Sequence, residues 1–162
     1  SVFPHGGCTA RKNKRGDLIV VDVGAAYQHY RSDMTRTLAA GKPSEKQKKI
    51  RQVVGLAQEK AFQAIKPKTK AKYVDATARK VIEDAGYGEH FVHSLGHGIG
   101  LEVHEPPSLS PVSKDKLTTG NVITNEPGIY IVGYGGVRIE DTVLVKKNGA
   151  ERLTKAPYYL TV

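Results

Sequence analysis

The length and composition are those of one globular domain. The chain has 162 residues, of which 39% are hydrophobic and 25% are charged, and a chain of this size can bury a hydrophobic core. It contains no run of eighteen apolar residues and no recognisable signal peptide, so we expect no membrane segment. The one cysteine, Cys8, cannot form an internal disulfide, which favours a reducing compartment and predicts a cytoplasmic protein.

The basic residues do not follow the pattern of a nucleic-acid site, although the net charge is +9. They lie in separate stretches, mainly at residues 12–15, 42–49, 66–72 and 146–147, without interleaved aromatic residues. A platform that stacks nucleic-acid bases needs aromatic side chains beside its cations. We therefore predict a solvated basic surface and no specific nucleic-acid partner.

Strands are predicted in the first 40 residues. Leu18–Val23 is an apolar run that contains one acid, Asp22, and is typical of a buried strand. Gly24 ends this run, and the alternation of polar side chains over residues 27–37 predicts a second strand.

Residues 44–86 predict two helices. Ser44 and Gln47 form a capping-box pair at the start of the first helix, and Pro67 stops it. The second helix is expected to begin near Thr69, with Gly86 placed to cap its C-terminal end. Both segments carry apolar residues at helical spacing, which are expected to face the core.

The last third of the chain returns to short apolar runs punctuated by Gly, Pro and Asn, which are typical of strands and turns. The order of strands, paired helices and strands predicts an α+β fold. The candidate strands in this part are residues 91–93, 122–125, 129–132, 137–145 and 151–153.

Acidic residues lie inside apolar segments near a cluster of histidines. Asp22, Glu126 and Glu140 each interrupt a strand-like run, and residues 93–104 contain three histidines among glycines. Burying a carboxylate is unfavourable unless it is paired or binds a metal. Together with Asp33, this pattern favours metal coordination over independent ion pairs.

The predicted ligands are too many for an ordinary single zinc site. Four carboxylates and one imidazole suit two divalent ions that share carboxylate ligands and a water. Oxygen-rich ligands with one imidazole favour manganese, cobalt or iron, with zinc as a further candidate.

Five ordered motifs resemble the M24 metallopeptidase family, and within it the Xaa-Pro aminopeptidase and Xaa-Pro dipeptidase (prolidase) branch. The resemblance implies the pita-bread (creatinase/aminopeptidase) catalytic fold, incomplete at its N-terminal side. Residues 1–162 would then be the C-terminal part of the peptidase catalytic domain, with the N-terminal domain and first helices absent. The motifs are residues 22–25, 30–37, 93–104, 125–130 and 137–142.

The resemblance implies two divalent ions, with manganese or cobalt preferred and iron or zinc as alternatives. Asp33 and Glu140 would bridge the ions, and a water between them would attack the scissile carbonyl. The five metal ligands would be Asp22, Asp33, His97, Glu126 and Glu140.

Other positions would act on the substrate. By the same resemblance, His93 and His104 would contact the peptide and stabilise charge, while Glu126 would handle the proton of the attacking water. His5 and Arg138 would bind substrate, and Arg138 would alternatively orient the neighbouring Glu140.

Three further residues carry expectations about support for the site. Asp141 is expected to hold a ligand in place, as acids behind metal ligands often do. Arg36 is expected to pair with an acid, and Asn125 needs a hydrogen-bond partner if it faces the core. His29 and His90 have no motif role and are expected on the surface.

The activity implied by the resemblance is hydrolysis of X-Pro peptide bonds by a dinuclear exopeptidase, either an aminopeptidase or a dipeptidase. The partner would be a proline-containing peptide, and exposed apolar surface would favour a homo-oligomer. Two alternatives stay open at this point. One is an enzyme like methionine aminopeptidase, which the residues around Glu140 disfavour. The other is a pita-bread binding module without catalysis.

Overall fold

The computed structural model describes residues 4, 6–7 and 10–161 and has mixed helix and sheet. Two helices, α1 (Glu45–Ala64) and α2 (Ala71–Asp84), lie between groups of strands, and a short 3-10 turn spans Gly88–His90. The strands are β1 (Leu18–Val23), β2 (Ala26–Tyr27), β3 (Tyr30–Arg31), β4 (Met34–Ala39), β5 (Gly96–Gly98), β6 (Glu105–Leu109), β7 (Val122–Asn125), β8 (Gly128–Ile131), β9 (Gly135–Arg138), β10 (Asp141–Lys146), β11 (Gly149–Arg152) and β12 (Leu160–Thr161).

The predicted α+β order is confirmed, but several predicted strands are wrong in detail. Residues 27–37 are not one strand, because Gln28 and His29 take positive φ values of 47° and 72° and turn the chain between β2 and β3. The predicted strand at residues 91–93 is irregular, since the Arg79 side chain of α2 donates to the carbonyl oxygens of Phe91 and His93. The predicted strand at residues 137–145 divides into β9 and β10, and β5 and β6 were not predicted.

Two larger sheets and two hairpins organise the strands. The five-stranded sheet has the order β11-β10-β7-β5-β6, with every neighbouring pair antiparallel. The three-stranded sheet has the order β1-β4-β12, in which β1 is antiparallel and β12 parallel to β4. The pairs β2-β3 and β8-β9 form separate hairpins.

The two helices begin and end largely where the sequence predicts. The Ser44 side chain accepts from the backbone N–H of Gln47, whose own side chain accepts from Ser44 N–H, so the capping box is complete. Helix α2 ends before Gly86, whose φ of +81° places it in the left-handed region that favours glycine.

The hydrophobic core lies between the helices and the sheets. Helix α1 packs on α2 and also contacts β7, β8, β9 and β11, while α2 contacts β6. Each helix buries residues spaced three or four apart, and burying one such aliphatic side chain contributes about 1.5–3 kcal/mol. The buried residues of this stripe include Ile50, Val54, Ala57, Ala61, Val74, Ala78 and Ile82.

Within the described residues, neither helix has the length and hydropathy needed to cross a membrane.

Candidate metal centre

One cavity collects the acids and histidines from five separate segments. Antiparallel pairing of β1 with β4 brings Asp22 and Asp33 to the same end, while pairing of β7 with β5 and β10 brings the later residues beside them. The cavity has a volume of about 540 Å³. Its lining includes Asp22, Asp33, His93, His97, His104, Glu126 and Glu140.

His97 presents one ring nitrogen to the acids of the cavity. Its Nδ1 lies 3.0 Å from the carbonyl oxygen of Gly98, so this nitrogen carries the proton and donates. Its Nε2 then faces Glu126 Oε1 at 3.3 Å and Asp33 Oδ2 at 3.9 Å. Burial would lower the pKa of His97, but the hydrogen bond with Glu126 and the neighbouring carbonyl and carboxylates raise it overall. A backbone-fixed tautomer of this kind is typical of metal-binding histidines.

Glu126 is held as an anion by its surroundings. Burial opposes its ionisation, but the hydrogen bond with His97 and the electrostatic interactions with His93, His97 and Arg138 together lower its pKa. Thr124 Oγ1 donates to Glu126 Oε1 at 3.0 Å and accepts from the backbone N–H of His97 at 3.0 Å. One threonine therefore fixes Glu126 and His97 relative to each other.

Asp33, His97 and Glu140 form a compact set of metal-compatible groups, with one ligand atom from each lying within 4.8 Å of the others. Burial, Glu126 and Asp33 raise the pKa of Glu140 to about 9. Burial, Asp22 and Glu126 raise the pKa of Asp33 to about 6. These shifts reflect the unfavourable free energy of gathering carboxylates, which a divalent cation between them would offset.

Glu140 has one occupied and one available oxygen. Its side chain is 1% exposed, and its Oε2 accepts from Thr35 Oγ1 at 2.5 Å. Its Oε1 is buried without a hydrogen-bond partner among the described residues. A buried carboxylate oxygen without a partner is unfavourable, so a metal ligand role accounts for it well.

Asp22 lies beside the compact set and contacts Arg138. Arg138 Nη2 donates to Asp22 Oδ2 at 2.5 Å, and Arg138 Nε donates to Thr35 Oγ1 at 3.0 Å. Arg138 is only 2% exposed and also donates to the Tyr130 hydroxyl at 2.9 Å. Its Nε also lies 3.9 Å from Glu126 Oε2, and its hydrogen bond with Thr35 links it to Glu140.

The two flanking histidines both line the cavity but differ in how they are held. The His104 ring lies 4.2 Å from the ring of His97, centre to centre. His93 has Nδ1 2.8 Å from the carbonyl oxygen of Ser94 and Nε2 3.1 Å from the Tyr130 hydroxyl. The remaining predicted site residue, His5, lies outside the described residues.

The chain is similar in sequence to known metallopeptidases. The sequence profile described as metallopeptidase family M24 matches residues 1–147. The chain belongs to the M24 family. The Xaa-Pro dipeptidases of Pyrococcus horikoshii and Pyrococcus furiosus are 56% and 54% identical to it over 155 residues. Each alignment covers 96% of this chain but 44% of the relative.

Solved structures agree with this M24 assignment. The prolidase from Pyrococcus furiosus matches with a TM-score of 0.95 and 54% identity over 97% of this chain and 47% of that one. The X-Pro aminopeptidase from Thermotoga maritima matches with a TM-score of 0.97 and 45% identity over 100% and 46%. The predicted pita-bread fold is thereby confirmed. The chain spans less than half the length of the relatives that it matches.

A buried hydrogen-bond network supports the site, and only part of it was predicted from the sequence. Asp141 is fully buried and accepts from Arg36 at 2.8 Å, so the expected pairing of Arg36 with an acid is confirmed. Arg36 Nη1 also donates to the backbone oxygen of Glu140 at 2.5 Å. The other donors to Asp141 are Gln58, Thr154 and Tyr158, at 2.7, 2.7 and 2.6 Å.

Two residues of this site were not predicted from the sequence, and the hydrogen-bond partner expected for Asn125 is found for only one of its two polar side-chain atoms. Thr35 and Thr124 each fix a carboxylate, and the only sequence signal was a hydroxyl inside a strand-like segment. Asn125 is fully buried, and its amide nitrogen donates to Gln58 O at 2.9 Å. Its Oδ1 lacks a partner among the described residues.

Proposed function

We propose that the protein acts as a metal-dependent exopeptidase that hydrolyses Xaa-Pro peptide bonds. The observation that carries the proposal is the set of Asp33, His97 and Glu140 at the floor of a cavity, in an M24 chain 56% identical to an Xaa-Pro dipeptidase. A concave site with clustered acids of perturbed pKa is where catalysis is expected.

The proposed cofactor is a pair of divalent ions, with manganese or cobalt preferred and iron or zinc as alternatives. The available Oε1 of Glu140, the aimed Nε2 of His97 and the raised pKa of Asp33 all fit a cation at this place. Carboxylate oxygens with one imidazole suit these metals. The residues proposed to hold them are Asp22, Asp33, His97, Glu126 and Glu140.

When bound, such ions would activate a water and polarise the carbonyl of the scissile bond. Glu126, which is present as a carboxylate, accepts the proton of the attacking water in this proposal. His104 and His93, which line the cavity, contact the peptide and stabilise charge in this proposal. Arg138 holds Asp22 and Thr35 in place, and in this proposal it binds substrate or orients Glu140.

The remaining assignments follow the relatives. The two relatives at 56% and 54% identity are named Xaa-Pro dipeptidases, while a solved structure at 45% identity is an X-Pro aminopeptidase. We therefore propose dipeptides of the form Xaa-Pro as first substrates, with longer Xaa-Pro peptides as the alternative. Methionine aminopeptidase activity and a purely binding role are not favoured. A longer catalytic domain, a homo-oligomer and a cytoplasmic location belong to the same proposal.

Release of the residue before proline tests the activity. The purified protein is incubated with an Xaa-Pro dipeptide, a tripeptide beginning Xaa-Pro and a matched Xaa-Ala dipeptide, with manganese, with cobalt and with EDTA. We expect metal-dependent cleavage only of the proline peptides, and loss of cleavage in His97→Asn. His90→Asn is the matched control, because His90 lies outside the cavity lining. Cleavage that persists in EDTA, or tight metal binding with no hydrolysis, contradicts the proposal.

A further inference from the structure

An ion pair on α2 lies outside the cavity but is directed at the segment that carries His93. Arg79 donates from Nε and Nη2 to the two carboxylate oxygens of Asp75, at 2.9 and 3.0 Å. The Asp75 side chain is 1% exposed and that of Arg79 is 21% exposed. Neither residue lines the cavity described above.

Among the described residues, the other side-chain hydrogen bonds of this pair go to the irregular segment of residues 91–95. Arg79 Nη1 donates to the carbonyl oxygen of Phe91 at 2.9 Å, and Nη2 donates to that of His93 at 3.0 Å. Asp75 Oδ1 accepts from the backbone N–H of Leu95 at 3.0 Å. Side chains of α2 thus provide the hydrogen bonds that a neighbouring strand would otherwise provide.

The same pair fixes the His93 ring through an aromatic stack. The Arg79 guanidinium lies 4.2 Å from the centre of the Phe91 ring. The Phe91 ring meets the His93 ring edge-on, with centres 5.1 Å apart and an interplanar angle of 90°. Cation–π and edge-to-face contacts of this kind have preferred geometries, so they restrict where the His93 ring can lie.

The hydrogen bonds continue from this segment to Glu126. The Leu95 carbonyl oxygen accepts from the backbone N–H of Glu126 at 2.9 Å. Leu95 is fully buried, so this link is shielded from water. A displacement of residues 91–95 therefore moves His93 directly and Glu126 through one hydrogen bond.

We propose that Asp75 and Arg79 are positioning residues for catalysis, which set the His93 ring and the Glu126 backbone from outside the cavity. The inference rests on the proposed function, since it assigns these two groups to the reaction. A merely structural pair would stabilise the fold without affecting turnover. A positioning pair controls the placement of reacting groups, where a shift of about 1 Å can lower the rate about 100-fold.

The test compares Arg79→Lys with Lys80→Ala in the metal-loaded protein. Lysine keeps the charge beside Asp75, but it cannot donate to two carbonyls and cover a ring at once. We expect kcat to fall about 10- to 100-fold, with metal affinity by calorimetry unchanged. Lys80 forms an exposed i,i+4 pair with Asp84 at 3.0 Å on the same helix, so its loss should leave kcat unchanged.

A double-mutant cycle separates positioning from stability. If Arg79 acts through His93, then Arg79→Lys should have little further effect on kcat in a His93→Asn background. If the effects of the two substitutions on kcat are fully additive, or if Arg79→Lys has wild-type kcat, the inference is overturned. The proposed function stays intact in either case, provided that the wild type cleaves proline peptides. Phe91→Leu, which keeps a buried apolar residue but removes the ring, provides a second variant with the same expected loss of kcat.

One readout does not depend on activity. Because the Phe91 ring faces the edge of the His93 ring, its ring current shifts the NMR signals of the His93 ring protons. Arg79→Lys and Phe91→Leu should both move these signals, and Lys80→Ala should not. Unmoved His93 signals in a folded Arg79→Lys protein overturn the inference even if no substrate is cleaved.

Discussion

Replacement of Glu140 by glutamine should stabilise the metal-free protein at neutral pH. In the folded chain the pKa of Glu140 is raised to about 9 by burial and by Glu126 and Asp33, against 4.5 as the ordinary value. Above pH 4.5 the unfolded chain releases this proton while the folded chain retains it. Stability contributed by the protonated group is therefore complete below that pH and is lost as the pH rises through the folded pKa.

The size of this stability change follows from the difference between the pKa values of Glu140 in the unfolded and in the folded chain. Between pH 4.5 and the pKa of Glu140 in the folded chain, each pH unit lowers the free energy of unfolding of the wild type by about 1.4 kcal/mol. At pH 7 the difference amounts to about 3 kcal/mol, and at pH 5 to less than about 1 kcal/mol. Glutamine has nearly the same shape and cannot ionise, so Glu140→Gln should avoid this loss.

Urea unfolding in EDTA at pH 5, 7 and 8 measures the effect. We expect Glu140→Gln to unfold at a higher urea concentration than wild type at pH 7 and 8, and at nearly the same concentration at pH 5. Glu89→Gln is the control, because Glu89 is exposed in the 3-10 turn. Added manganese should reverse the order, since ligand binding stabilises only the chain that keeps the site. An equal difference at all three pH values would refute the reasoning.

Three further predictions concern separate parts of the site. Asp33→Asn removes a charged oxygen from the compact set of ligand atoms, and calorimetry should show metal affinity lowered by more than the about 10- to 100-fold typical of supporting residues. Tyr158→Phe removes the donor 2.6 Å from the buried Asp141, and urea unfolding should show about 1–2 kcal/mol less stability. Gly96→Ala would place a Cβ 2.2 Å from the carbonyl oxygen of Thr124, so β5 and β7 must separate, and stability should fall by about 1–3 kcal/mol or more.

Each of these changes has a matched control in the same chain. Asp84→Asn on α2 should keep metal affinity, because Asp84 pairs with Lys80 outside the cavity. Tyr73→Phe should keep stability, since the Tyr73 side chain is 62% exposed. A Cβ at Gly7 meets nothing within 4 Å, so Gly7→Ala should be neutral. If a control variant showed the same change as the variant that it is matched with, the contact invoked to explain that change would be contradicted.

The sequence predicts the acids of the cavity because isolated carboxylates in apolar strands have few favourable explanations. All three acids picked out in this way line the cavity, but only Glu126 and Glu140 are largely shielded from solvent, whereas the Asp22 side chain is 47% exposed at the open end of β1. The helices are also predicted closely, because the capping box at Ser44 and the glycine at 86 act locally. Local signals of this kind do not depend on the rest of the fold.

Contacts between distant segments could not be predicted in the same way. The sequence does not show that Arg138 contacts Asp22, because that contact depends on the packing of β1 against β9. Residues 91–93 were predicted as a strand, yet the Arg79 side chain of α2 donates to the carbonyl oxygens of Phe91 and His93. Tertiary context here overrides the local preference.

The network around Arg36 also determines when the cavity can form during synthesis. Arg36 bonds to the backbone of Ala156, 120 residues later in the chain, and Thr35 bonds to Glu140, 105 residues later. Contacts across such separations form slowly, because a long loop must close before they are gained. Asp22 and Asp33 are therefore synthesised well before Glu140, and the cavity can be completed only after nearly all of these 162 residues have been made.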